Sequence, residues 1–139
     1  MIHIVCPSRY KIDNKLVRRS AEEILAANTV PSSAVLNIVF VGTRKMKEIA
    51  NTYKHEDVAL PVLAFAYKES ETELPDPETA VEEGAPMDTE QLYGEIFLCY
   101  PQVVLLAAER GKKVDEMIDR LVEHGLNNII QDKSTPVRP

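Results

Sequence analysis

The sequence predicts an α+β domain, a small mixed sheet of about four strands layered with four to five helices. Two observations carry that expectation. Short apolar runs rich in β-branched residues alternate with stretches whose apolar residues recur every three to four positions, the helical period. The alternation breaks twice, at two strand-like runs separated only by an acidic stretch and at two consecutive helical patterns near the end. A uniform strand–helix alternation would build a parallel sheet; these breaks favour a mixed one.

Taken in order, Ile2 to Cys6 (IHIVC) suits a short strand stopped by Pro7. Asp13 is placed to cap a helix whose apolar positions are Leu16, Val17, Ala21, Ile24 and Leu25. A loop at residues 30–33 leads into Ala34 to Val41 (AVLNIVFV), a buried strand. Thr43 is expected to cap a second helix, with Met46, Ile49, Ala50 and Tyr53 on one buried face. Leu60 to Ala66 (LPVLAFA) reads as a strand, and Pro61 near its start marks it as an edge or an irregular entry. Residues 68–90 read as an acidic loop insertion, since 69–90 hold nine acids, no bases and three prolines. Gly94 to Cys99 is the next strand. Pro101 opens a helix that ends at Gly111, and a last helix from near Val114 buries Met117, Ile118, Leu121, Val122, Leu126 and Ile129. The tail at 133–139, with Pro136 and Pro139, is expected to fray.

A chain of 139 residues reads as a single domain, 1–139, able to bury a core without staples. No apolar run approaches 18 residues, so no membrane span is expected, and the first residues lack the basic and cleavage regions of a signal peptide. Cys6 and Cys99, both in apolar segments, read as buried reduced thiols of a cytoplasmic protein. The net charge of −6 argues against an indiscriminate nucleic-acid binder. It is unevenly spread. Residues 1–54 carry nine Lys/Arg against four Asp/Glu, a balance of +5, and residues 55–139 carry seven against eighteen, a balance of −11. An RNA partner would therefore meet the first half, unless the charges are simply solvated helix faces.

Metal chemistry is the first to weigh. Histidines four apart on a helix point the same way and can clamp one ion, and a third ligand completes a catalytic site. On the last helix that face carries His124, Asn128 and, if the helix continues, Asp132. Asparagine is a weak zinc ligand, and one imidazole with one carboxylate makes a poor site, so spacing alone favours a plain helix histidine. No GxSxG, CxxC, GxGxxG or P-loop pattern occurs. His3 falls in the first strand, His55 at a helix-to-loop junction, and Asp57 and Glu95 read as isolated carboxylates.

Several of these pieces, taken in order, resemble the YbeY family of bacterial rRNA maturation factors, described as metal-dependent single-strand endoribonucleases. The resemblance spans residues 35–131. Leu36 to Val41 followed by Met46 to Lys54 resembles the family's strand and its helix ending in Tyr-Arg. Residues 62–65 (VLAF) resemble its Val-Leu-Ser-Phe, Gly94-Glu95-Ile96 its Gly-Asp-Ile, and Tyr100 to Gly111 the helix that follows. Leu121 to Leu126 (LVEHGL) resembles the start of its signature helix. That signature reads His-Gly-x-x-His with a third His six residues later. Here the first falls on His124, the second on Asn128 and the third on Ser134. The family arginine becomes Lys54, which keeps the charge but loses the bidentate fork, and a polar pair becomes Leu60-Pro61.

The resemblance implies a zinc-dependent hydrolase of single-stranded RNA in rRNA processing. His124 would be a metal ligand, Asn128 and Asp132 stand-ins for lost ones, and Lys54 a phosphate contact. Zinc in a hydrolase needs three protein ligands to lower the pKa of its water, so losing two imidazoles points to an impaired metal site. The alternative is a non-catalytic assembly factor on the same fold, holding rRNA, another single-stranded RNA, a ribosomal protein or the small ribosomal subunit. A third reading is a metal-free enzyme or oligomeric module of merely similar topology, because fold does not fix function.

Overall fold

The computed structural model describes residues 1–67 and 91–131. Their order is β1 (Ile2–Val5), α1 (Asn14–Ala27), β2 (Ala34–Val41), α2 (Thr43–Lys54), β3 (Val62–Ala66), β4 (Gln91–Cys99), α3 (Tyr100–Glu109) and α4 (Val114–Gln131). The expected acidic insertion at 68–90 and the tail at 133–139 lie outside the described residues, as does Asp132.

The four strands form one sheet in the order β1-β2-β4-β3. β1 and β4 each run parallel to β2, whereas β3 is antiparallel to β4. This is the mixed sheet that the broken alternation predicted. β3 lies at an edge, as its proline suggested, and pairs from Val62↔Leu98 to Ala66↔Gly94. The ladder carries one step beyond the strand, where the Tyr67 amide donates to the Tyr93 carbonyl at 3.1 Å.

Alternating side chains divide the sheet into two faces. Leu36, Ile38 and Phe40 of β2 and Ile96 and Leu98 of β4 point to one, against α1, α3 and α4. Val17, Ala21 and Leu25 of α1 and Met117, Val122 and Leu126 of α4 close that main core. Each such fully buried Val, Leu, Ile or Met contributes roughly 1.5–3 kcal/mol relative to exposure. Among the described residues α2 alone packs on the other face, placing Met46, Ile49 and Ala50 over Val41, Leu63, Phe65 and Cys99.

α1 starts where expected. Asp13 is extended, and its side chain accepts from the Leu16 amide at 3.1 Å. α2 differs. Gly42, not Thr43, is its N-cap, with extended backbone and no side-chain cap bond, because β2 ends at Val41 and the chain must turn at once. Tyr53, expected on the buried face, is 41% exposed: its ring lies 4.9 Å from that of Phe65 on β3, at the margin of that face. Leu121 is half-buried rather than buried, at the flank of α4. β4 begins three residues earlier than Gly94, because it pairs with β2 from Ala34↔Gln91 onward. Cys99 is buried, whereas Cys6, just beyond β1, is only partly covered; both are free thiols.

Two glycines set how closely α4 lies on the sheet. A Cβ on Gly125 would stand 3.3 Å from Ile96, and one on Gly94 would stand 2.8 Å from Ile129 Cδ1 and 2.9 Å from the Phe65 carbonyl. Absence of side chains at both positions lets helix and strand approach, and the flank of α4 that bears His124 is held beside β3.

Candidate functional site

A cleft of about 510 Å³ opens between that flank of α4, the edge strand β3 and the end of α2. Its polar lining is Lys54, His124, Asn128 and Gln131; its floor is Val62 to Ala64 and Ile129. Three of the predicted site residues, Lys54, His124 and Asn128, therefore meet in one place although the first lies 70 positions before His124. All three side chains are exposed to solvent. Gln131, on the next turn of α4, had not been singled out; its spacing of seven from His124 was the available signal.

His124 and Asn128 stand one helical turn apart, with Asn128 Nδ2 at 3.4 Å from His124 Nε2. With the ring proton on Nδ1, the carboxamide donates to Nε2. Lys54, the last residue of α2, brings the cleft its ammonium. His55 follows it as the C-cap in a left-handed conformation (φ 58°), which turns the chain toward β3.

These residues do not fit a zinc ion. Among the described residues no three of His, Cys, Asp or Glu come together. The described lining of the cleft offers one imidazole, two carboxamides and a cation, and zinc takes thiolate, imidazole or carboxylate ligands. The groups present are instead donors and acceptors suited to phosphate oxygens, hydroxyls and base edges.

Glu95, expected to be isolated, has partners. Its Oε1 accepts from the Tyr67 hydroxyl at 2.8 Å and its Oε2 from Asn37 Nδ2 at 3.2 Å. Asn37 lies directly across the β2–β4 ladder from Glu95, a pairing that appears only once the register is known. This group faces α2, on the opposite side of the sheet from α4. His3 is an exposed residue of β1, and Asp57 is exposed in the loop after α2. Among the described residues no helix is long and apolar enough to cross a membrane.

The chain is 29% identical over 125 residues to an Endoribonuclease YbeY of Dehalococcoides mccartyi (strain BAV1), covering 89% of this chain and 76% of that protein. To the Endoribonuclease YbeY of Chromobacterium violaceum it is 29% identical over 111 residues, or 80% of this chain and 56% of the relative. The solution structure of TM1509 from Thermotoga maritima shares the fold, with a TM-score of 0.57 at 21% identity over 94% of this chain and 72% of that one. The profile of the family described as Endoribonuclease YbeY matches residues 6–129, nearly all of the chain described above, and the chain belongs to that family.

Proposed function

We propose that the protein serves rRNA maturation by holding single-stranded RNA in the cleft of Lys54, His124 and Asn128, as a binding and assembly factor that does not cut through a zinc-bound water. One observation carries this reading. The cleft keeps a cation and hydrogen-bonding side chains facing solvent, whereas its described donor set lacks the ligands that zinc hydrolysis needs. Family membership supports RNA as the partner.

In this reading the Lys54 ammonium pairs with a backbone phosphate as a point charge, fixing position without reading sequence. The carboxamides of Asn128 and Gln131 each offer a donor and an acceptor to a ribose hydroxyl or a base edge. The His124 imidazole beside Asn128 adds a further hydrogen-bonding group. The exposed cations of the first half of the chain add a diffuse field that draws the strand in, and the small ribosomal subunit in the cytoplasm is where such a strand would be met.

Anisotropy of a labelled single-stranded RNA tests this. Binding should weaken steadily with salt, and Lys54→Glu should weaken it roughly tenfold by setting a like charge against phosphate. RNA cleavage that zinc supports, a chelator stops and His124→Ala abolishes would overturn the non-catalytic reading and restore the endoribonuclease.

A further inference from the structure

We propose that the protein has a second contact surface for single-stranded RNA, on the sheet face that α2 only partly covers, reached from the cleft around the Tyr53–Lys54 end of α2. This rests on the RNA reading of the cleft and extends it to the nucleotides beyond.

The sheet supplies the first observation. Its register aligns two rows on this face, Val5–Val39–Phe97–Leu63 and His3–Asn37–Glu95–Phe65. α2 seals Leu63 and Phe65, but Val5 remains 55% exposed, His3 is exposed, and Asn37, Val39, Glu95 and Phe97 are half-buried. Beside α2 this open area deepens into a hollow of about 380 Å³ walled by Tyr53, Phe65, Tyr67 and Phe97. The rings of Tyr53 and Phe65 are 4.9 Å apart and those of Phe65 and Phe97 5.8 Å apart, all tilted rather than stacked flat. Tyr53, 41% exposed, and the half-buried Phe97 are the rings that solvent still reaches beside the buried Phe65.

The second observation is cationic. Lys45 and Glu48 line this hollow and also a neighbouring one of about 470 Å³, where Arg9 and Arg44 join them. The Arg9 guanidinium lies 4.8 Å over the Tyr10 ring, which itself stacks on Tyr100 at 4.5 Å and 18°. Three exposed cations thus face one carboxylate at this end of α2.

The order along α2 is therefore cations, rings with carboxylates, then Lys54 and the cleft. Lys45 and Lys54 are nine residues apart, about 14 Å of helix. A strand crossing this distance has phosphates to offer the two cationic ends. Glu48 and Glu95 repel a phosphate from the middle, so the nucleotide there turns its base inward. The base stacks on a ring, and its amino group donates to Glu95, whose oxygens each retain a free lone pair beside their contacts from Tyr67 and Asn37. A basic protein segment would find Glu95 attractive, but the three cations at the rim oppose it; RNA suits both.

Labelled oligocytidylates of about three and about nine nucleotides, the span of small single-strand sites, bound to the full chain decide the matter. The longer should bind roughly tenfold tighter, and in the double variant Arg44→Ala/Lys45→Ala the two lengths should bind alike. Its salt slope for the longer RNA should fall by about 1.4, two phosphates at ~0.7 each. Tyr53→Ala should reduce the same gain. Equal affinity for both lengths, or a gain that survives the double variant, overturns the second surface and leaves the cleft standing. Failure to bind either length overturns the RNA reading itself, and the second surface with it.

Discussion

Gly94 and Gly125 decide where His124 stands. At Gly94 an added methyl meets both the end of Ile129, which can move, and the Phe65 carbonyl, which cannot without disturbing the β3–β4 ladder. Gly94→Ala should cost about 1–3 kcal/mol, the usual range for overpacking, read as a lower denaturant midpoint at unchanged slope. Asn128 is the complementary case. It already stands 3.4 Å from the His124 ring, so an imidazole there would share its face of the helix. Asn128→His should raise zinc affinity by roughly tenfold or more, measured by calorimetric titration. No change in zinc binding would mean that the two positions diverge. The histidine of this pair was plain in the sequence. That Gly94 sits under Ile129 was not, because the contact joins a strand to a helix 35 residues away.

The two N-terminal caps separate what pattern reveals from what it hides. Asp13 precedes a regular apolar period and its side chain closes the first turn of α1, so Asp13→Ala should lower stability by about 1 kcal/mol. Thr43 has the right chemistry but lies one residue inside α2, and Thr43→Ala should change stability by less than ~0.5 kcal/mol. Paired thermal melts of the two variants check both values. Strand character, the edge position of β3 and the amphipathic faces of α1 and α4 were all legible, because each is written in periodicity or in a proline. Tyr53 misled because period assigns a residue to a face of the helix but not how deeply the margin of that face is buried. The Asn37–Glu95–Tyr67 contacts depend on register between strands distant in sequence, and no local pattern encodes register.

Across the molecule, charge and titration set the working range. Burial raises the thiol of Cys6 above its ordinary value of 9.0 and the phenol of Tyr93 above 10.0. A raised acid favours the protonated form in the folded state. Its contribution is complete below the unfolded pKa and is lost as pH rises through the folded one. Stability should therefore be insensitive to these two groups at neutral pH and should fall above about pH 9, tracked by denaturation at stepped alkaline pH. Cys6→Ser should leave the Tyr93 part of that fall in place. The meeting of Lys54 with His124 and Asn128 belongs to this scale too. Residue types named the candidates, but only the packing of α4 against β3, with α2 ending beside it, makes them one site. The antiparallel ladder of β3 and β4 has a further consequence. Its register is held by five pairs and the bond from Tyr67 to Tyr93, so it does not need a tight turn to define it. Closing a loop costs only about 0.6 kcal/mol more for each doubling of its length. Adding or removing residues between these two strands should therefore cost little stability and leave the cleft beside β3 in place.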